Sequence, residues 1–121
     1  MTHHMCLSPL PFMLMQSGQK TIELRLFDEK RQRIQPGDWI LFEHSDKPGL
    51  VLCTVVEALH IFPDFETLYQ SLPLEECGHT KERIGEAQPS DMNAYYTKAQ
   101  QKRYAVVGIQ VRLLTSANIV K

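Results

Sequence analysis

Charged and apolar residues alternate strictly after Gly18, over residues 21–26. Successive side chains of a β-strand point to opposite faces, so the three apolar residues of this segment share one face. The other face carries Thr21, Glu23 and Arg25. Glycine is the residue that most often ends a helix. The pattern therefore predicts a helix that ends at Gly18 and a strand over 21–27, with one core face and one charged face.

Turn residues and hydrophobic periodicity divide the rest of the chain. Runs rich in β-branched and aromatic residues between turn residues are typical of strands, and apolar residues three and four positions apart are typical of helices. Strands are predicted over 5–7, 39–43, 50–61 and 104–114. Helices are predicted from Pro9, after the N-cap candidate Asp64, and from the N-cap candidate Ser90 to Gln101.

These elements predict an α+β fold. Five or six strands with two or three helices between them, at uneven spacing, favour a sheet that curls into a small β-barrel with helices packed at its ends. The strand over 50–61 is apolar enough for us to expect burial on both faces. Gly108 indicates a bulge or a close backbone approach within the last strand.

Length and composition are those of one ordinary globular domain. The chain has 121 residues, of which 43% are hydrophobic and 22% charged, so we expect a single domain over 1–121. No apolar run approaches the roughly 20 residues of a membrane helix, and the amino terminus does not resemble a secretory leader. We expect a cytoplasmic protein that does not associate with membranes.

The three cysteines, Cys6, Cys53 and Cys77, form no close pair and are odd in number. This usage is typical of reduced thiols rather than of a disulfide framework. Cys77 and His79 are two potential metal ligands, but a zinc site needs a second pair at a similar spacing. We therefore expect neither a metal nor a cofactor.

Charge is distributed unevenly along the chain. Residues 20–33 carry five cationic and three acidic side chains, and residues 98–121 carry five cationic and no acidic ones. Residues 57–91 carry eight acidic side chains against two cationic ones. If the first and last strands meet, they form a positive strip that suits a small anionic or single-stranded ligand better than duplex DNA. The alternative is that these charges are scattered in space and only solubilise the protein.

Lys20, Glu23, Arg25, Tyr95 and Tyr96 supply the groups that a base-binding cleft requires. Bases stack on aromatic rings, polar groups recognise the base edge, and cations bind phosphate. Glu23 can accept hydrogen bonds from an exocyclic amine or a ribose hydroxyl. The competing interpretation is a solvated Glu–Arg pair on the surface, with one tyrosine packed and one exposed because neighbouring helical positions are about 100° apart.

The chain resembles the ASCH domains, a branch of the PUA-like superfamily, over nearly its whole length. The resemblance is carried by Pro11-Phe12, Gly18-x-Lys20-Thr21-x-Glu23-x-Arg25, Gly37-Asp38-x-Ile40-x-Phe42, Tyr95-Tyr96 and Val106-Val107-Gly108-Ile109. It implies a PUA-like β-barrel with helices at its ends and a cleft between them. Our leading hypothesis is that this cleft, lined by Lys20, Glu23, Arg25, Tyr95 and Tyr96, binds RNA, a nucleotide or a modified nucleoside.

The resemblance also implies an enzymatic alternative. Some ASCH proteins are amidohydrolases that remove an acyl group from a modified cytidine, using a Lys near the helix end, a Thr three residues later and a downstream Glu. Lys20 matches the first position, but Glu23 occupies the second, and Thr21 carries the nearest hydroxyl. In this alternative Lys20, Thr21 and Glu23 are catalytic, with Thr21 as nucleophile and Glu23 as base. Glu75 and Glu76 are both available as the downstream carboxylate.

A third hypothesis belongs to a different class. Some relatives of this kind are appended to proteins of transcription or translation assemblies, so the resemblance also allows a protein-interaction module. We expect no domain beyond the single one predicted over 1–121, which gives this hypothesis less support than the other two.

Overall fold

The structure is a computed structural model that describes residues 1–78 and 88–114, and a five-stranded sheet forms its centre. The strands are β1 (Thr2–Leu7), β2 (Ile22–Leu26), β3 (Trp39–His44), β4 (Val51–Phe62) and β5 (Val106–Leu113), and the α-helices are α1 (Pro9–Gln16), α2 (Phe65–Ser71) and α3 (Lys98–Tyr104). Short 3-10 helices span Arg31–Arg33 and Pro89–Ala94. Within this described part, no helix is long and apolar enough to cross a lipid bilayer.

The strand order is β1-β3-β4-β5-β2. β1 pairs with β3 in parallel, and the other three pairings are antiparallel. The two edge strands, β1 and β2, approach each other. The Nη2 of Arg25 in β2 donates a hydrogen bond to the carbonyl of Cys6 in β1 at 2.8 Å. The sheet is therefore curled into a half-barrel, and the predicted α+β class is confirmed.

Apolar clusters lie on both sides of the sheet. The first contains Met5, Leu7, Phe12, Met15, Ile34, Ile40, Phe42, Leu52, Val56, Val107, Ile109 and Val111. The second contains Ile22, Leu24, Leu26, Phe65, Leu68, Tyr69, Cys77, Met92 and Val106. Residues that pair across antiparallel strands share a face. Since Glu23 pairs with Ile109 and Arg25 with Val107, the charged face of β2 lies on the same side as the first cluster.

The expectation that β4 is buried on both faces was wrong. Leu52, Thr54 and Val56 are buried, whereas Val51 is 42% exposed and Ile61 is 51% exposed. β4 lies between two antiparallel partners, and such a sheet commonly covers only one of its faces. A run of β-branched residues looks the same in the sequence whether the strand is covered on one face or on both.

The predicted helix over 90–101 is interrupted in the structure. Its first part is a 3-10 helix that is capped by Gln88 rather than by Ser90. A new helix then begins after Thr97, whose Oγ1 accepts a hydrogen bond from the N–H of Gln100 at 3.1 Å. The side chain of Gln100 accepts in return from the N–H of Thr97 at 3.0 Å. This capping box starts α3 and separates it from the 3-10 helix.

The last strand begins later than predicted. Tyr104 ends α3, and Ala105 follows with a φ of +62°, so β5 starts at Val106. At Gly108, the structure shows a close approach: a Cβ atom there would lie 2.6 Å from Cδ1 of Leu72. The irregularity in strand register is on β4, between Val56 and Ala58, opposite β5.

Candidate functional site

Lys20 lies in the turn that connects α1 to β2. Gly18 adopts a φ of +88° just after the helix, a conformation that costs glycine little because it has no Cβ. The backbone N–H of Lys20 then donates to the carbonyl of Leu14 at 3.0 Å. The turn leaves Lys20 only 5% exposed, so its ammonium group requires partners inside the protein.

Three acceptors surround the Nζ of Lys20. They are the Oε1 of Glu23 at 3.1 Å and the carbonyls of Ile22 and Cys77, each at 2.9 Å. An ammonium group has three protons and no acceptor. These contacts therefore use its full donor capacity, and Lys20 joins β2 to the segment around Cys77.

Glu23 and the partly buried Arg25 complete a group that we call the ion cluster, namely Lys20, Glu23 and Arg25. The Nε of Arg25 lies 2.6 Å from the Oε2 of Glu23. Burial by itself would raise the pKa of Glu23, but the charges of Lys20 and Arg25 and their hydrogen bonds lower that pKa below its usual value. Burial opposes the charge of Arg25, and Glu23 outweighs it and raises the pKa of the guanidinium. At neutral pH, the cluster holds two cations around one carboxylate.

The ion cluster borders a hollow of about 430 Å³, which we call the tyrosine hollow. Ligand pockets in proteins commonly enclose about 300–1,000 Å³, so this one has the size for a small organic ligand. Its polar and aromatic lining residues are Cys6, Ser8, Lys20, Glu23, Arg25, Tyr69, Cys77, Asp91, Tyr95 and Tyr96.

Tyr95 and Tyr96 differ in how they meet this hollow. Tyr95 is 75% exposed, so its ring is available for stacking. Tyr96 is half-buried and stacks on Phe65, with ring centroids 6.2 Å apart and planes inclined by 13°. Burial raises the pKa of Tyr96, against the opposing effect of Arg25. Burial also raises the pKa of Tyr69 to about 12, so the phenols of Tyr69 and Tyr96 both keep their protons at neutral pH.

All five residues predicted to bind a ligand, Lys20, Glu23, Arg25, Tyr95 and Tyr96, line this one hollow. The structure differs from the surface interpretation of the charged strand, because Glu23 is 7% exposed rather than solvated. Side chains on both faces of β2 are buried. The apolar face shares a cluster with Phe65 and Leu68 of α2, and Arg25 on the other face contacts β1 at Cys6.

Thr21 lies apart from the tyrosine hollow. Its Oγ1 donates to the Oε1 of Glu76 at 2.8 Å, and it lines a separate cavity of about 160 Å³ together with Glu57 and Arg112. The alternation predicted that Thr21 shares a face with Glu23, but the Thr21 hydroxyl contacts Glu76, while the two oxygens of Glu23 contact Lys20 and Arg25. The predicted arrangement of Thr21 as nucleophile and Glu23 as base is therefore not formed, and the downstream carboxylate that contacts Thr21 is that of Glu76.

Cys77 and Gly78 belong to the site, although no sequence motif places them there. The carbonyl of Cys77 accepts from Lys20, and Gly78 has a φ of +105°, with the position of a Cβ only 3.4 Å from the Nζ of Lys20. Burial raises the pKa of the Cys77 thiol to about 11, so it stays protonated at neutral pH.

His79, considered above as a metal ligand, falls outside the described residues. Over 1–78 and 88–114, no group of three or more His, Cys, Asp or Glu side chains has the arrangement of a metal site.

Comparison with known proteins gives a family match and several similar solved structures. The sequence model of the ASCH domain family matches residues 5–115. The crystal structure of hypothetical protein PH0355 is 28% identical, with a TM-score of 0.77 over 94% of this chain and 100% of that chain. The solution NMR structure of protein PF0455 from Pyrococcus furiosus is 31% identical, with a TM-score of 0.69 over 94% of this chain and 98% of that one. No protein with a curated description matches the chain.

Proposed function

This chain belongs to the ASCH domain family, and we propose that its tyrosine hollow binds a single nucleotide unit, either a free nucleoside or nucleotide or an unpaired nucleotide of RNA. The observation that carries this proposal is the ion cluster itself. Buried charges are rare unless they are paired, and here a fixed carboxylate and guanidinium border a concave space next to an exposed aromatic ring.

Glu23 and Arg25 offer a mixed set of hydrogen-bonding groups to a ligand. Each carboxylate oxygen has two lone pairs, and each oxygen of Glu23 has one partner in the ion cluster. Arg25 has five N–H donors, and its described contacts engage Nε and Nη2. An acceptor beside a donor complements the edge of a base that presents an amine next to a carbonyl or ring nitrogen.

The position of these groups is fixed before a ligand arrives. Lys20 holds one oxygen of Glu23, and Arg25 holds the other while donating to the carbonyl of Cys6. A preorganised site loses less conformational entropy on binding than a mobile one. Tyr95 then supplies a flat surface on which any base can stack, which is worth about 1–3 kcal/mol per base.

The amidohydrolase alternative has less support from the geometry. The ammonium of Lys20 has no proton left to activate a leaving group, and the hydroxyl of Thr21 is engaged by Glu76 outside the hollow. Chromatography of N-acylated cytidine after incubation with the protein separates the two ideas. Release of the acyl group at a rate that Glu23→Gln abolishes would replace binding by catalysis as the proposal.

The binding proposal is tested with a residue whose removal leaves the ion cluster intact. We expect NMR titration with the four ribonucleosides and with a six-nucleotide single-stranded RNA to give saturable shifts for residues around the hollow. Tyr95→Ala should weaken the affinity about 5- to 150-fold, which corresponds to the removal of one stacking partner. Trp39→Ala is the matched control, because Trp39 is an aromatic residue 41% exposed that lies outside the hollow.

Two results would reject the proposal. One is the absence of saturable binding to every nucleoside and to the RNA at millimolar concentrations. The other is equal affinity in the wild type and Tyr95→Ala, which would move any observed binding to another surface.

A further inference from the structure

A second hollow adjoins the tyrosine hollow and shares two of its lining residues, Cys6 and Arg25. It encloses about 500 Å³, and we call it the basic hollow. Its charged lining residues are Arg25, Lys30, Arg31 and Glu43. Three cationic residues and one carboxylate thus line the basic hollow, and Arg25 lines both hollows.

The free edge of β1 holds two of these cations in place. The Nζ of Lys30 donates to the carbonyl of His4 at 2.9 Å, and the Nη2 of Arg25 donates to the carbonyl of Cys6 at 2.8 Å. Residues two apart in a strand direct their carbonyls to the same side. The two side chains therefore form a fixed row along β1, spaced by one repeat of the strand.

Some hydrogen-bond donors that line the basic hollow have no acidic partner within residues 1–78 and 88–114. Lys30 is exposed, and no carboxylate of the described residues lies within ion-pair distance of its ammonium. Arg31 pairs with Asp28 through Nη1 at 3.0 Å, while its Nε is shielded from solvent and has no hydrogen-bond partner in the part of the chain that the structure describes. Glu43 is exposed and its Oε2 lies 3.4 Å from the N–H of Gly49, so its charge faces the adjoining turn as well as the hollow.

We propose that the basic hollow binds the phosphate adjoining the nucleotide whose base occupies the tyrosine hollow, so that the ligand is a single-stranded RNA segment rather than a free nucleoside. This inference rests on the proposed function. A guanidinium matches the geometry of phosphate oxygens and an ammonium adds a point charge. Because Arg25 lines both hollows, a chain that leaves the first hollow meets Lys30 and Arg31 next.

The test compares ligands of increasing length at several salt concentrations. The probes are a ribonucleoside, its 5′-monophosphate and a six-nucleotide RNA, each titrated into the wild type, Lys30→Glu and Lys102→Glu. Lys102 is the matched control because it is an exposed lysine that lines neither hollow. We expect the RNA to bind at least about tenfold more tightly than the nucleoside, as P–O⁻ contacts add to base contacts. Lys30→Glu should remove that gain without changing the affinity for the nucleoside.

Salt dependence gives an independent readout. The slope of log K against log salt for the RNA should be shallower by about 0.7 in Lys30→Glu for each phosphate that the protein no longer neutralises, and unchanged in Lys102→Glu. If the 5′-monophosphate already shows the whole gain, the ligand is a mononucleotide and the inference of an RNA segment is wrong.

The outcomes separate this inference from the function on which it rests. Equal binding of nucleoside and RNA, unaffected by Lys30→Glu, overturns the basic hollow and leaves the tyrosine hollow standing. Binding of RNA alone, lost in Lys30→Glu, supports the basic hollow and rejects a free nucleoside as ligand. No binding of any probe overturns both.

Discussion

The two faces of β2 are buried by different kinds of contact. Ile22 and Leu24 belong to the same apolar cluster as Phe65 of α2, whereas Glu23 and Arg25 join the ion cluster on the opposite face. Burial of apolar surface is favourable at about 25 cal/mol per Å². Burial of charges costs desolvation that their attraction only partly offsets. The apolar face therefore stabilises the fold directly, and under the proposed function the ion cluster presents its polar groups to a ligand.

The largest effect is expected when the carboxylate at the centre of the ion cluster is removed. Glu23→Ala leaves the buried Lys20 and the partly buried Arg25 without their counter-charge, and we expect a loss of about 3–5 kcal/mol in the free energy of unfolding. Urea unfolding followed by circular dichroism measures it. The control is Glu57→Ala. Glu57 and Arg112 are both exposed, with the Nε of Arg112 3.7 Å from the Oε2 of Glu57, and an exposed ion pair of this kind contributes about 0–1 kcal/mol to stability. Equal losses in the two variants would mean that the ion cluster is effectively solvated.

Acid should reduce the contribution of the ion cluster to the free energy of unfolding. The pKa of Glu23 is lower in the folded chain than its ordinary value of 4.5, so ionised Glu23 favours the folded state. That contribution is complete above pH 4.5 and is lost as the pH falls towards the folded pKa. We expect the free energy of unfolding to decrease over this range less steeply in Glu23→Gln than in the wild type.

Asp38 titrates in the same acidic range and must be separated from Glu23. The hydrogen bond from His3 is the main cause that lowers the pKa of Asp38 to about 2. Glu23→Gln retains this contribution, so a residual decline with falling pH is expected in that variant. Identical pH profiles in the wild type and Glu23→Gln would contradict the assignment of the acid sensitivity to the ion cluster.

A smaller effect is expected from crowding the apolar face. In Gly108→Ala, the new methyl group would lie 2.6 Å from Cδ1 of Leu72 and 3.1 Å from Cγ2 of Ile22. Overpacking of this kind costs about 1–3 kcal/mol, measured as a shift of the urea midpoint. Adding Leu72→Ala should recover part of the loss relative to the sum of the two single variants. Strict additivity would show that the two positions do not touch.

The smallest effect tests whether the two faces are independent. Ile22→Val removes one buried methylene-sized group from the apolar face, and we expect a loss of about 0.5–1.5 kcal/mol with no change in the titrations described above. Val51→Ala is the control, since Val51 is 42% exposed. A change in nucleoside affinity in Ile22→Val would mean that the two faces are coupled through the strand.

Several features of the fold could be predicted because their causes are local. Gly18 ends α1 in a backbone conformation that favours glycine, and Asp64 caps α2 by accepting from the N–H of Thr67 at 2.8 Å. The capping box of Thr97 and Gln100 is equally visible in the sequence. The apolar spacing around Tyr95 and Tyr96 nevertheless predicts one continuous helix where the structure has two.

The site could be predicted only in part, for a related reason. Strand alternation could group Glu23 with Arg25, and Lys20 lies close to them in the chain because it stands in the turn just before β2. Tyr69 and Asp91 line the same hollow, but they come from elements far away in the chain and carry no motif. Thr21 looks equivalent to Glu23 in the pattern, and only the structure shows that its hydroxyl contacts Glu76 rather than the ion cluster.

The order of residues in β2 is enough to establish that two faces of opposite chemistry exist there. It is not enough to establish that both faces are buried. That outcome depends on the carbonyl of Cys77, 57 residues from Lys20, and on the carbonyl of Cys6, 19 residues from Arg25. Alternation is a property of neighbouring residues, whereas burial depends on which distant elements pack over them, and that packing exists only in the folded chain.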